Sequence, residues 1–282
     1  MPEFTELARG FYLEGLLVDG EDIWFTDVTR GGVHNLATGQ TVLPERTMIG
    51  GLARNADGRL LVSGADGIAW VDPATGASGL LIEGLGGINE MRGDPAGGLW
   101  FGTIDLAAII AGKAPAASSL CHLAADRTLR ELRGDLTFAN GLAPSPDGKR
   151  LYFNESFSGT CAFPIDADGA IGAPLWRLAN RDCDGMALDC EGHAWVTGFG
   201  SAAIVRLSPD GSATGRIAVP GPACTNIRFG GDDMRDIYVT VVDTAAARLL
   251  AEGKPLTERS SALYRGRSPI AGAPLARTGF VL

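Results

Sequence analysis

The chain has 282 residues, of which 45% are hydrophobic and 20% are charged, and its formal net charge is −9. This composition is typical of a globular protein, and the negative charge argues against nucleic acid or an anionic membrane as a partner. No apolar run approaches the ~18 residues of a membrane-spanning helix. The N-terminal residues lack the basic and then apolar order of a signal peptide, so we expect a cytoplasmic protein.

Short strand-like triplets recur six times along the chain, and a tight Asp-Gly or Gly-Gly type of turn precedes most of them. They are Ile23-Trp24-Phe25, Leu60-Leu61-Val62, Leu99-Trp100-Phe101, Leu151-Tyr152-Phe153, Ala194-Trp195-Val196 and Ile237-Tyr238-Val239. Their centres are 37, 39, 52, 43 and 43 positions apart, close to the ~40–50 residues of a propeller blade. The spacing predicts an all-β fold, a six-bladed β-propeller of four-stranded antiparallel blades around a central channel, in one domain over 1–282. A β-sandwich is the alternative.

Two stretches depart from this repeat. Residues 106–119 form an insertion in the third copy, and 244–252 has the pattern of a short helix in the sixth. Each is interpreted either as a lid over one mouth of the channel or as a surface connection packed on its own blade.

A second repeat lies ten to twelve residues before each triplet, where the innermost strand of a blade is expected to begin. It is occupied by Glu14, Gly51, Asn89, Asn140, Asp184 and Asn226. Equivalent positions of successive blades face one another across a channel, so these side chains should converge. Two carboxylates among amide oxygens, with no Cys or His, favour Ca²⁺, Mg²⁺ or Mn²⁺. The alternative is that these residues cap strand ends and bind water.

Motifs along almost the whole chain resemble the gluconolactonase, senescence-marker-protein (regucalcin) and luciferin-regenerating-enzyme family of six-bladed propellers. They are Glu14-Gly15, Asn89-Glu90 with Asp94-Pro95 and 99–103, Asn140-Gly141-Leu142-Ala143 with 145–148, Asp184-Gly185-Met186-Ala187, and Phe229-Gly230-Gly231.

This resemblance implies one divalent ion, most often Ca²⁺, with Zn²⁺, Mn²⁺ or Mg²⁺ as the other options. The metal ligands that it implies are Glu14, Asn140 and Asp184, and Asp184 is also the candidate general base. Asn89 would hold a metal-bound water or the substrate. Asn89, Glu90 and Asn226 are the predicted substrate-binding residues.

The sequence departs from the family pattern near Asn89. Sugar-lactone members often carry an arginine two residues before that position, where this chain has Gly87, and Glu90 replaces the usual aspartate. Met91, Phe157 and Phe199 are expected near the mouth of the channel, which would suit a less polar substrate. Ordinary core packing is the alternative for these three side chains.

The predicted function is therefore metal-dependent hydrolysis of a carboxylic ester bond, with a small lactone, sugar or non-sugar, as substrate. Other chemistry at the same metal stays open, namely organophosphate hydrolysis, isomerisation or hydration. A non-enzymatic calcium-binding or scaffold propeller is the further alternative. The expected partner is a small molecule, and neither nucleic acid nor a membrane is expected to bind.

Overall fold

The computed structural model describes residues 3–282 and shows six sheets of four strands each. Neighbouring strands within each sheet are antiparallel, and five of the six sheets consist of four consecutive strands. The predicted six-bladed propeller is therefore confirmed. Across residues 3–282, neither helix has the length and apolar character that a membrane span requires.

The chain opens with β1 (Thr5–Gly10), which belongs to the last blade, and then builds three blades in succession, each from its innermost to its outermost strand. Blade 1 consists of β2 (Leu13–Asp19), β3 (Asp22–Asp27), β4 (Val33–Asn35) and β5 (Thr41–Val42). Blade 2 consists of β6 (Leu52–Arg54), β7 (Leu60–Val62), β8 (Gly67–Val71) and β9 (Ser78–Glu83). Blade 3 consists of β10 (Gly87–Gly93), β11 (Leu99–Ile104), β12 (Ser118–Leu123) and β13 (Leu129–Leu136).

The next two blades repeat this order, and the sixth takes strands from both ends of the chain. Blade 4 consists of β14 (Ala139–Pro144), β15 (Arg150–Glu155), β16 (Gly159–Pro164) and β17 (Trp176–Ala179). Blade 5 consists of β18 (Cys183–Leu188), β19 (Ala194–Gly198), β20 (Ala203–Leu207) and β21 (Ala213–Ala218). Blade 6 consists of β22 (Ala223–Gly230), β23 (Asp236–Val242), β24 (Ser261–Arg267) and β1.

The six predicted triplets lie in the second strand of each blade and form much of the core. Leu60, Leu61 and Val62 are fully buried, and Trp100 and Trp195 are 1% and 2% exposed. Burial of this kind on both faces of a strand is what stacking between neighbouring blades produces, since each blade covers the faces of the next.

The N-terminal strand closes the ring. β1 pairs with β24 through Arg9↔Ala262 and Glu6↔Tyr264, so blade 6 contains strands from both ends of the sequence. This pairing ties the first blade to the last and leaves no large sheet edge at the seam.

Both insertions contain a helix. α1 (Leu106–Ile110) follows β11 of blade 3, and α2 (Thr244–Ala251) follows β23 of blade 6. Asp105 and Asp243 cap them by accepting bonds from backbone N–H groups of the first turn. The two insertions meet, because a Cβ on Gly112 would lie 2.7 Å from the carbonyl oxygen of Glu252. The helix expected at 244–252 is confirmed.

Residues 272–280, here called the C-terminal strap, cross the opposite end of the propeller. Gly272 bridges to Asp189 in blade 5, and Thr278 bridges to Asn55 in blade 2. Gly279 donates its backbone N–H to Gly97 in blade 3 at 2.8 Å. One segment thus contacts three blades and covers that end of the channel.

Candidate functional site

The predicted polar positions coincide with irregularities in the innermost strands. The ladder between the first and second strand shifts register at this level in five blades, namely at 14–17, 88–91, 139–142, 183–186 and 224–226. A bulge turns a side chain out of the regular alternation and aims it elsewhere. In this propeller the bulges allow polar side chains to face the channel while the adjacent apolar residues stay in the core.

Glycines beside two of the polar residues permit close contact between neighbouring inner strands. A Cβ on Gly141 would lie 2.4 Å from the carbonyl oxygen of Asp184, and one on Gly185 would lie 2.5 Å from that of Thr225. Any larger residue would push these backbones apart. The Asn-Gly and Asp-Gly pairs of the sequence therefore hold blades 4, 5 and 6 tightly together around the channel.

The structure brings Glu14 and Asp184 into one electrostatic environment. Burial, the largest cause, raises the pKa of Glu14 to about 7, and the negative charge of Glu90 adds to the rise. Burial and then the charge of Glu14 raise the pKa of Asp184 well above its ordinary value. Among the ion pairs of residues 3–282, none includes Glu14 or Asp184. Two enclosed carboxylates thus repel each other without a basic partner.

Asn140 lies beside Asp184 and lowers its pKa by hydrogen bonding, although burial prevails. The Nδ2 of Asn140 donates to the Ser156 hydroxyl at 3.2 Å, and that hydroxyl donates to the carbonyl oxygen of Cys183 at 2.6 Å. This arrangement fixes the amide nitrogen toward blade 5 and leaves the amide oxygen, the usual ligand atom for a hard cation, without a bonded donor in the described residues.

Asn89 is held from the neighbouring blade, because its Nδ2 donates to the carbonyl oxygen of Ala139 at 3.0 Å. It is partly exposed, unlike Glu90. Gly50 leaves room for it, since a Cβ there would lie 2.8 Å from the Asn89 Oδ1. The amide oxygen of Asn89 therefore borders the channel next to the Asn140 strand.

Glu90 and Asn226 lie in a buried layer, 3% and 1% exposed. Glu90 forms ion pairs with Arg92 at 2.6 Å and with Arg228 at 3.4 Å. Asn226 donates to Glu14 at 3.1 Å and to Glu90 at 3.2 Å. Their predicted role in substrate binding stays a prediction, and the polar atoms of both side chains have protein partners.

The donor set fits a divalent cation. Glu14 and Asp184 supply two carboxylates with raised pKa values, and a cation would relieve their repulsion. No group of three or more His, Cys, Asp or Glu within residues 3–282 is arranged to hold a metal. A site here therefore depends on the amide oxygen of Asn140 together with the two carboxylates.

Apolar side chains from both insertions lie near this end of the channel. Leu106 of α1 and Leu250 of α2 share one apolar cluster with Tyr12 and Phe138. Burial, with the charges of Glu14 and Asp184, raises the pKa of the Tyr12 phenol well above its ordinary value. Tyr12 thus packs in the same cluster as both helices and is near enough to Glu14 and Asp184 for their charges to act on its phenol.

The three side chains expected near the mouth have different positions. Phe157 is 57% exposed and stacks edge-on against Phe138 with ring centroids 6.1 Å apart. Phe199 is partly buried against the cluster around α2. Met91 is fully buried in the core between blades 2 and 3, so its expected position at the mouth is wrong. The bulge in β10 turns Met91 into the core because Asn89 takes the channel position.

A cavity of about 70 Å³ lies at the other end of the channel, under the C-terminal strap. Arg54 and Arg277 line it, and both pair with Asp19, at 3.3 and 2.9 Å. The acidic residue that lines it, Asp19, is paired with these arginines, so this cavity does not offer the unpaired carboxylates found at the end with Glu14 and Asp184.

Several residues of the site were missed by sequence reasoning. Tyr12 and Ser156 adjoin predicted positions, but they do not recur at the same point of each repeat. Arg92 and Arg228 lie in strands, where the sequence pattern does not distinguish a surface arginine from a buried one. The available signal was weak: Arg92 lies two residues after Glu90, and Arg228 lies two residues after Asn226, a spacing that places two side chains on the same face of a strand.

Comparison with known proteins finds relatives whose sequences align with most of this chain. It is 27% identical over 272 residues to the pentonolactonase XacC of Haloferax volcanii, covering 92% of this chain and 91% of the relative. It is 29% identical over 234 residues to the 6-deoxy-6-sulfogluconolactonase of Pseudomonas putida, covering 77% and 78%. The crystal structure of the calcium-binding protein regucalcin from Agrobacterium tumefaciens superposes with a TM-score of 0.78 at 24% identity, covering 99% and 98%.

That structural likeness shows the shared fold. The sequence profile of the SMP-30/gluconolactonase/LRE-like region matches residues 13–243, from the strand that carries Glu14 to the end of β23. The chain therefore belongs to the SMP-30/gluconolactonase/LRE-like family.

Proposed function

We propose that this protein is a divalent-metal-dependent lactonase that opens a small lactone to its hydroxy acid. The observation that carries the proposal is the pair Glu14 and Asp184, two enclosed carboxylates with raised pKa values and no ion pair in residues 3–282. The lactonase relatives support the reaction class. A cytoplasmic location and a small-molecule substrate form part of the same proposal.

The residues that would hold the metal are Glu14, Asn140 and Asp184. Ca²⁺ is the favoured ion because all three donors are oxygens, and Zn²⁺, Mn²⁺ and Mg²⁺ are the alternatives to be tested. When bound, the ion would polarise the lactone carbonyl and stabilise the negative charge that develops on its oxygen. Asn89, which is partly exposed beside Asn140, would orient the substrate.

Asp184 is the proposed general base. Its carboxylate would accept a proton from water as the water oxygen attacks the carbonyl carbon. The bond between that carbon and the ring oxygen then breaks, and the proton passes from Asp184 to the departing ring oxygen. Burial raises the pKa of Asp184, which increases the basicity of a carboxylate that a cation would otherwise depress.

The surroundings of β10 favour a less polar substrate. A Cβ on Gly87 would lie 2.6 Å from Leu106 Cγ and 2.6 Å from the carbonyl oxygen of Ile104. The Leu106 side chain of α1 therefore occupies the space that any longer residue at position 87 would need. With Tyr12 and Phe138 in the same cluster as Leu106, this side of the site offers hydrocarbon contact and not a cationic donor. We propose a lactone with an apolar substituent.

A panel of lactones tests this function. Hydrolysis of γ- and δ-lactones with alkyl substituents is measured beside that of aldonolactones, with added Ca²⁺ and after chelation. The proposal expects turnover that chelation abolishes and that added metal restores, with higher kcat/KM for alkyl lactones. Chelator-resistant hydrolysis would remove the metal from the reaction. A preference for aldonolactones would leave the lactonase in place and overturn the apolar substrate.

A further inference from the structure

A buried polar network from blades 3 and 6 lies one layer below Glu14, and its hydrogen bonds reach Glu14 in blade 1 and Met186 in blade 5. Its members are Glu90 from blade 3 and Asn226 with Arg228 from blade 6, and Arg92 adds a second guanidinium. All four residues are at most 4% exposed. Nη2 of Arg92 is the one buried polar atom of these four side chains without a hydrogen-bond partner among the described residues, and the partners of the others hold their positions fixed.

The amide of Asn226 has only one orientation that satisfies its neighbours. Its Oδ1 accepts from the backbone N–H of Ile227 at 2.9 Å and from Nη1 of Arg228 at 2.5 Å. A flipped amide would direct its NH₂ group at these two donors. The Nδ2 therefore faces the carboxylates, where its two hydrogens serve Glu14 at 3.1 Å and Glu90 at 3.2 Å.

The bond from Asn226 to Glu14 goes to one carboxylate oxygen, Oε2, and hydrogen bonding from the Thr225 side chain and the Gly15 backbone also lowers the pKa of Glu14, although burial prevails. Glu90, by contrast, is fully occupied: Oε1 accepts from Arg92 and from the backbone N–H of Met91, and Oε2 accepts from Asn226. Arg228 also donates to the carbonyl oxygen of Met186 in β18, the strand that carries Asp184. The network thus contacts both strands that bear the proposed metal-binding carboxylates.

We propose that Asn226 and Arg228 are positioning residues that orient Glu14 for the cation. Arg228 fixes the Asn226 amide, and the amide fixes the Glu14 carboxylate so that Oε1 is presented to the ion. This inference rests on the proposed metal site and assigns Glu90 and Asn226 a supporting role below it. Arg228 has no hydrogen bond to Glu14 among the described residues, so its effect on the Glu14 carboxylate passes through Asn226.

The test is a double-mutant cycle on metal affinity. Asn226→Leu, Arg228→Met and the double variant are titrated calorimetrically with Ca²⁺, and with Mn²⁺ in parallel, and the unfolding temperature is recorded for each metal-free protein. We expect each single variant to weaken binding at least about 10-fold, and the double variant to be no weaker than Asn226→Leu, because coupled residues lose one shared interaction. Arg228→Lys, which keeps a donor for Asn226, should recover most of the affinity.

Matched controls separate positioning from general damage. Arg54→Met removes another buried arginine, which is paired with Asp19 and Asp22 at the far end of the channel, and its Ca²⁺ affinity should stay within twofold of the original protein. If Asn226→Leu fails to fold, Asn226→Ser replaces it in the cycle, since its short hydroxyl side chain cannot span the same distance.

Two results would overturn the inference. They are Ca²⁺ affinity within twofold of the original protein in a folded Asn226 variant, and independent, additive losses in the double variant. Failure of the proposed function has a different signature: the unmodified protein itself would bind neither ion, and that result would overturn the inference together with the metal site on which it rests.

Discussion

Two layers of the channel contain buried carboxylates, and only one of the layers pairs its carboxylate with arginines. In the lower layer, Glu90 is 3% exposed and has two arginine partners, Arg92 and Arg228. In the upper layer, Glu14 and Asp184 have raised pKa values and no ion pair in the described chain. The protein neutralises one buried carboxylate with its own side chains and leaves two to be neutralised from outside. This difference supports our proposal that a cation and substrate bind in the upper layer.

The largest expected effect is the loss of turnover when a carboxylate of the upper layer is replaced. Asp184→Asn keeps the shape of the side chain and removes the proton acceptor, so kcat for lactone hydrolysis should fall by about 10²–10⁴-fold. Steady-state kinetics at saturating metal measures it. Asp182→Asn is the matched control two residues away, since Asp182 accepts backbone bonds from Gly200 and Ser201, and its kcat should stay within about fivefold. Equal losses in both variants would contradict the assigned role of Asp184.

The upper layer was largely predictable from the sequence, whereas the lower layer was not. Glu14, Asn140 and Asp184 recur at one phase of a repeat, and a propeller places equal phases around one axis, so their convergence could be inferred. Arg92 and Arg228 carry no such signal, because a charged residue in a strand normally faces water. Arg92 pairs with Glu90 inside its own strand, whereas Arg228 reaches Glu90 from a different blade. Contacts between different blades are not visible in a linear pattern.

The seam and the strap were also beyond sequence reasoning. β1 pairs with β24 and so joins blade 6. The sequence of residues 5–10 predicts pairing with β24 no more than with any other strand edge. The C-terminal strap has no regular period, since its contacts with Asp189, Asn55 and Gly97 are single bridges and hydrogen bonds. The six second strands, by contrast, were predicted at their correct positions from hydrophobic triplets and turns.

The second expected effect is the loss of stability when the carboxylate of the lower layer is replaced. Glu90→Gln leaves two buried guanidinium groups without their anion, and the free energy of unfolding should fall by about 3–5 kcal/mol. Urea denaturation at pH 7.5 measures the loss. Glu252→Gln breaks an exposed pair with Lys254 and should change stability by less than about 0.5 kcal/mol. A stable Glu90→Gln protein would show that the lower layer is not neutralised in the way described.

Replacing a carboxylate by its amide in the upper layer should increase the stability of the metal-free protein, whereas in the lower layer it should decrease stability. The pKa of Glu14 is raised from 4.5 to about 7 in the folded chain, so the folded state holds its proton more tightly than the unfolded state. Metal-free protein therefore loses stability as pH rises from about 4.5 to about 7 and changes little above that range from this group. Glu14→Gln removes the effect and should stabilise metal-free protein at pH 7.5 by up to about 3 kcal/mol.

Unfolding in chelator at pH 4.5 and pH 7.5 checks the sign. The original protein and Glu14→Gln should differ little at the lower pH and diverge at the higher one. A Glu14→Gln protein that is less stable than the original at pH 7.5 would show that Glu14 already has a compensating partner.

The smallest effect is expected at the far end of the channel. Arg277 lies in the strap and pairs with Asp19 at 2.9 Å, and its side chain is 51% exposed. Arg277→Gln should leave kcat/KM for the preferred lactone within about twofold, because exposed pairs contribute little. A loss greater than about tenfold would move the functional end of the channel to the cavity under the strap.

The most direct test of the central claim is a calorimetric titration of chelator-treated protein with Ca²⁺ at pH 7, in two buffers of different ionisation enthalpy. We predict one binding site, release of a proton as the ion displaces it from the Glu14 and Asp184 pair, and loss of binding in Glu14→Gln and Asp184→Asn. Unchanged affinity in both variants, or lactone hydrolysis that continues in metal-free protein, would contradict the account.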